Sequence, residues 1–191
     1  MDEFDEFSDL YEEEKTDDYY ERESKINIDV YNRFTSDLTK TYQGIPISEI
    51  KSCISICETT LIPWEHTLFE LNFNNLASIG KNMTSELIIP DFIEEVHCGS
   101  DNIVNNIAKT KITTIVIPRS IMVIGPNAFA YFKNLAKIEI NENSRLIFIG
   151  NHAFDGCEKL HKLDLSNCND LDKETVSVNR LTDIVNIKIK I

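Results

Sequence analysis

The chain predicts an α/β repeat fold, a solenoid with one short parallel strand per unit and returns made of loops or short helices. Three observations carry the prediction. A block is written twice, so that Gly125, Ala128, Phe129 and Leu135 recur at one constant offset as Gly150, Ala153, Phe154 and Leu160. Self-similarity at a short fixed period marks units that bury their apolar side only against one another. A second pattern, L-x-x-L-x-L, occurs at near-constant spacing at Ile112/Ile115/Ile117, Leu135/Ile138/Ile140, Leu160/Leu163/Leu165 and Ile184/Ile187/Ile189. Its last two apolar positions alternate at the period of a strand, so the positions between them must face the other side.

The elements follow in chain order. Residues 1–23 hold twelve acidic side chains against Lys15 and Arg22, a net of −10, interleaved with Phe4, Phe7, Leu10, Tyr11, Tyr19 and Tyr20. Like-charge repulsion predicts a disordered acidic arm over residues 1–24. Residues 25–60 read as an N-terminal cap or linker, since a terminal unit must shield an otherwise open core. Residues 61–191 read as the solenoid. At its start the pattern loosens: Leu68/Leu71/Phe73 and Thr84/Leu87/Ile89 fit the template at irregular spacing to the next unit, and are taken as two distorted units, for about six in all.

Within the regular units each landmark has a physical reason. Ile117-Pro118 ends a strand, because proline lacks the N–H the ladder would need next. Ile124-Gly125 and Ile149-Gly150 predict a turn in which glycine supplies positive φ or admits a close neighbouring backbone. Ala128-Phe129 and Ala153-Phe154 put a small residue beside a large one, so that the rings can stack behind the sheet about one strand spacing, ~4.8 Å, apart. These residues are core rather than a ligand box.

Ile117-Pro118, Ser120-Ile121, Ile124-Gly125, Ala128-Phe129 and Leu135, then Ile149-Gly150, Ala153-Phe154, Gly156-Cys157 and Leu160, resemble the BspA-type leucine-rich repeats. The first copy departs from that pattern with Phe132 where the second has Cys157, which keeps the position apolar. The resemblance covers about residues 110–166 well and fades on either side. It implies a leucine-rich-repeat solenoid whose strand-lined face is concave and binds a protein partner without catalysis. A fainter likeness, Ile45-Pro46, Glu49-Ile50 and Ile54 to the opening of an F-box, implies the alternative of a substrate adaptor for ubiquitin ligation.

Charge and composition narrow the function. Of the formal net charge of −13, the acidic arm carries most, leaving −3 for the rest of the chain. No cluster of Lys and Arg exists to hold phosphates, which argues against nucleic acid. No apolar run reaches the ~18 residues of a membrane span. An acidic N-terminus unlike a signal peptide, with five cysteines in no disulfide framework, predicts an intracellular, cytoplasmic protein. Cys53-x-x-x-Cys57 would place two thiols on one helical face, but no second pair completes a zinc site, so no metal or cofactor is expected. Neither G-x-x-x-x-G-K-S/T nor G-x-S-x-G is present, and no catalytic residue is assigned.

The candidate partner-binding residues come from strand geometry. If the apolar pairs point inward, one outward column runs Thr114, Lys137, Lys162, Asn186 and the next Val116, Glu139, Asp164, Lys188. Lys137 is expected beside Glu139 and Lys162 beside Asp164, with His161 exposed at the start of its strand. Such a face suits a mixed polar protein surface rather than a polyanion.

Overall fold

The computed structural model of the chain describes residues 28–58, 67–72, 85–97, 107–171 and 186–188. The acidic arm and, of the repeat template, Phe73, Thr84, Ile184 and Ile189 lie outside them. Helix α1 spans 28–34. A hairpin follows, β1 (Thr41–Tyr42) paired antiparallel with β2 (Ile45–Pro46), then α2 (Ile47–Ser52) and β3 (Ile54–Glu58). Next come β4 (Thr67–Asn72), β5 (Glu86–Ile88), β6 (Glu95–His97), α3 (Ile107–Lys111), β7 (Thr114–Ile117), β8 (Val123–Ile124), β9 (Lys137–Ile140), β10 (Phe148–Ile149), β11 (Lys162–Asp164) and β12 (Asn186–Lys188).

From β5 to β11 the strands alternate between two sheets, as a solenoid requires of a chain that crosses its core twice per turn. The first sheet is β5-β7-β9, all parallel, continued by the parallel pair β11-β12. The second runs β10-β8-β6-β4-β3, parallel except where β3 meets β4. Together they make a solenoid of about three turns with little helix.

The second sheet corrects three expectations. Leu71 does not head a distorted unit of the first sheet, because β4 pairs Leu71 with Val96 of β6 in the second. Five strands of the first sheet lie among the described residues. Ile124-Gly125 and Ile149-Gly150 are not turns; each isoleucine ends a strand of the second sheet, at β8 and β10. Neither glycine has positive φ. A Cβ on Gly150 would overlap the Pro126 nitrogen and sit 2.6 Å from the Gly125 carbonyl carbon, and one on Gly125 would overlap the His97 ring. Close approach between turns is thus the reason for glycine here. Cys53 and Cys57 do not share a helical face either, since Cys53 follows α2 and Cys57 lies within β3.

The core fills the space between the sheets. Ile115, Ile117, Leu135, Ile149, Leu163 and Leu165 are all buried in one cluster. Phe129 and Phe154 stack with ring centroids 5.6 Å apart and planes 13° from parallel, the column the repeated Ala-Phe predicts. Backbone bonds lock one turn to the next beside that column: Phe129 N–H donates to Ala153 O at 2.8 Å and Tyr131 N–H to Asp155 O at 2.6 Å. This segment needs two left-handed residues per turn. Asn127 and His152 fill the first position at φ 57° and 58°, Tyr131 and Gly156 the second at 64° and 65°. The Tyr131 ring lies where a Cβ on Gly156 would be, so one copy's tyrosine requires the next copy's glycine.

At the N-terminal end Ile45, Ile50 and Cys53 belong to the same buried cluster as the repeats. Tyr31 and Phe34 of α1 pack on Phe92 with centroids 5.6 and 5.1 Å away. The hairpin tip completes the arrangement: Gln43 Nε2 donates to Ile88 O at 2.9 Å, and Ile88 N–H donates to Gln43 Oε1 at 3.1 Å.

Candidate functional site: the strand-lined face

In the first sheet every second side chain turns outward, because inward positions are taken by Ile115, Ile117, Ile138 and Leu163. Cross-strand register then sets the columns. Glu86, Thr114 and Lys137 stand side by side, as do Ile88, Val116 and Glu139. On the second pair of strands Lys162 stands beside Asn186 and Asp164 beside Lys188. Between β9 and β11 the ladder gives way to side-chain bonding, in which Asn167 Nδ2 donates to Ile140 O at 2.9 Å.

The expected charge pairing holds in one strand and changes in the next. Lys137 Nζ donates to Glu139 Oε1 at 2.5 Å within β9. Asp164 instead reaches across to Lys188, 3.2 Å away, rather than along its own strand to Lys162. Its other oxygen accepts the Ser166 hydroxyl at 2.6 Å and the Ser166 N–H at 3.1 Å. These bonds from Ser166, and then the Lys188 ammonium, hold the Asp164 carboxyl down to about 2. Asp164 thus serves the bend after β11 as well as the face. Lys162 and His161 are exposed, His161 just before the strand begins.

The face is chemically uneven along the solenoid. Its N-terminal end carries Ile88, 38 % exposed, and half-buried Val116, while its C-terminal end carries only charged and polar outward residues. Sequence reasoning left out Ile88 because the pattern gave its position no neighbour, and left out Gln43 because nothing in a hairpin tip announces a partner so distant in the chain.

The other outward-facing chemistry lies on the second sheet. His97 Nε2 lies 2.5 Å from Glu95 Oε1, with the carboxylate almost fully buried. The signal for this pair was present in the Glu-x-His spacing, which places both residues on one side of a strand. His152 lies 3.8 Å from Asp155, both half-exposed. Among the described residues no three His, Cys, Asp or Glu side chains converge as metal ligands. Cys157 takes the position of Phe132, as the apolar swap predicts, and its thiol donates to Phe129 O at 3.2 Å. Burial pushes that thiol up to about 12. No described helix is long and apolar enough to cross a membrane.

Comparison with known proteins agrees with this architecture. Residues 104–190 match the family described as BspA type Leucine rich repeat region, in six copies. No curated protein and no solved structure matched the chain.

Proposed function

Residues 104–190 are a BspA-type leucine-rich repeat region, and on that premise we propose that the chain is a non-catalytic protein-interaction module that binds through its strand-lined face. The repeat family suggests protein interaction and is typically non-catalytic. The observation that carries the choice of face is the alternation of β7, β9 and β11, whose outward side chains stand free of the core while their neighbours are buried. The contact residues in this reading are Lys137, Glu139, His161, Lys162, Asp164, Asn186 and Lys188. Interspersed charges of both signs favour a polar protein surface with complementary charges, and they disfavour nucleic acid.

In the same reading residues 1–24 are an acidic arm, 25–60 a cap and 61–191 the solenoid. Burial of Ile45, Ile47 and Ile50 supports the cap. It also favours interaction over ubiquitin adaptation, since Ile45, Ile50 and Cys53 join the core cluster of the repeats. Reversing Glu139 and Asp164 to lysine should abolish partner capture in a pull-down with the circular dichroism unchanged. Undiminished capture would remove this face from consideration.

A further inference from the structure

Lysines that are scattered in the sequence come together where the strands of the first sheet begin. Asn134 Nδ2 donates to Thr110 O at 2.5 Å, and Lys133 Nζ lies 3.6 Å from Glu158, so the segments leading into β7, β9 and β11 stack turn on turn. The stack gives Lys111, Asn134 and Lys159 one repeating place and Thr114, Lys137 and Lys162 another. Lys133, Lys137, Lys159, His161 and Lys162 are all exposed, and Lys111 is half-buried. Their carboxylates are fewer. Glu158 answers Lys133, Glu139 answers Lys137, and Glu86 stands beside Thr114, two strands from Lys137. No ion pair among the described residues involves Lys111, Lys159 or Lys162.

Like charges at neighbouring cross-strand places repel one another. Lys162, one repeat beyond Lys137, lacks the relief its own strand offers, because Asp164 reaches across to Lys188 instead. The same chain carries a complement. Residues 1–23 hold twelve acidic side chains against Lys15 and Arg22, and acidic pairs recur three residues apart at Asp2-Glu3 and Asp5-Glu6. In an extended segment three residues span about 10 Å, which equals two strand spacings and hence the two turns that separate Lys111 from Lys159. Reach does not limit such a contact. The arm leads into α1 at Ile28, and α1 packs on Phe92 just after β5. From β5 to β11 is three strand spacings, about 15 Å, which roughly five extended residues cover.

We propose that this lysine edge is an interaction surface for an acidic segment, and that its occupant is the chain's own arm, residues 1–23. Carboxylates of the arm meet Lys111, Lys159 and Lys162, the three lysines that no carboxylate of the repeats answers. Tethering gives the arm an effective concentration of about 1 mM, so an affinity of about 100 μM as a free peptide keeps the edge roughly nine-tenths occupied. Of these three lysines only Lys162 belongs to the strand-lined face. The surface thus goes beyond the proposed partner site and does not depend on it.

The test measures binding of a labelled peptide carrying residues 1–20 to forms of the full chain. An arm-neutralised variant carries Asp2→Asn, Glu3→Gln, Asp5→Asn, Glu6→Gln, Asp9→Asn, Glu12→Gln, Glu13→Gln and Glu14→Gln. It should bind the peptide about tenfold more tightly than the wild type, whose own arm competes. Salt at about 0.5 M should remove the binding, since exposed charges are screened. Adding Lys159→Glu with Lys162→Glu to that variant should abolish binding, whereas Lys40→Glu with Lys51→Glu, the same charge change elsewhere, should retain it. Equal affinity of the wild type and the arm-neutralised variant overturns the proposal, as does equal loss in the two lysine variants. A chain that takes short single-stranded DNA but not the peptide overturns it too, by making the edge a phosphate site. Tightening of the wild type on dilution would give the site to the arm of a second copy instead. Glu139→Lys with Asp164→Lys should bind the peptide at least as well as its parent, so failure of the face reading and failure here are separate results.

Discussion

The two sheets of the solenoid share a core but treat water differently. In the first, outward positions such as Lys137, Glu139, Lys162 and Lys188 are exposed or half-exposed. In the second, the outward Glu95 is buried and Val123 is 0 % exposed, where it joins Met122, Ile147 and Phe148 in a small separate cluster. Arg145 closes over that cluster, its Nη2 3.5 Å from the Met122 sulfur. One outer face is thus solvated, and the other is covered around β6 and β8. A partner reaches side chains directly on the first, whereas on the second it would first have to displace packed ones. That difference, more than the charge pattern itself, is why the first face is assigned to recognition.

Substitutions on the two faces should therefore differ sharply in stability. Val123→Asp places a charge in the covered cluster and should cost about 3–5 kcal/mol in denaturant unfolding, the usual penalty of an uncompensated buried charge. A loss under about 1 kcal/mol, the scale of an ordinary surface substitution, would mean that the second face is open after all. Gly150→Ala pushes a methyl into the Pro126 backbone and should cost about 1–3 kcal/mol, a typical overpacking penalty. Glu139→Lys removes one exposed ion pair and should change stability by no more than about 1 kcal/mol, the range measured for exposed pairs.

Two titrations extend the comparison to single groups. Cys157, pushed up to about 12, should resist a thiol reagent in the folded protein at about pH 9, where an exposed cysteine reacts. Because its folded value is raised, the associated stability is complete below the unfolded thiol value of about 8.5 and is lost as pH rises toward 12. Asp164, held down to about 2, behaves in the opposite sense. Its contribution is present above about pH 4 and lost as pH falls toward about 2, and exposure keeps it small. Ser166→Ala should bring the Asp164 carboxyl back toward the ordinary carboxylate range in an NMR titration. No movement would assign the low value to Lys188 instead.

The regular half of the fold was readable because its packing residues repeat. Phe129 over Phe154, and the apolar pairs of β7, β9 and β11, impose a period that no local propensity disguises. The second sheet was not readable for two reasons: with both sides of β8 buried, Val123-Ile124 loses the alternation that announces a strand, and Glu95-Val96-His97, which keeps it, is only three residues long. Leu71 was misplaced because the same apolar spacing fits either sheet, and only pairing with Val96 decides. On the strand-lined face the expected columns hold within β5-β7-β9 and within β11-β12, with no ladder between β9 and β11 to join them. The Asp164 to Lys188 contact escaped because a carboxylate with a lysine both along and across the strand has two geometric choices. The difference between Tyr131 and Gly156 is a ring and the space made for it.

The measurement that bears most directly on the account is quantitative partner capture from a native extract by three forms of the full chain. These are the wild type, Glu139→Lys with Asp164→Lys on the strand face, and Glu142→Lys with Glu158→Lys, which makes the same charge change outside the strands. The account predicts that the first double variant loses the captured partner while the second retains it. Equal retention or equal loss by the two variants would contradict the claim that the strand-lined face does the binding.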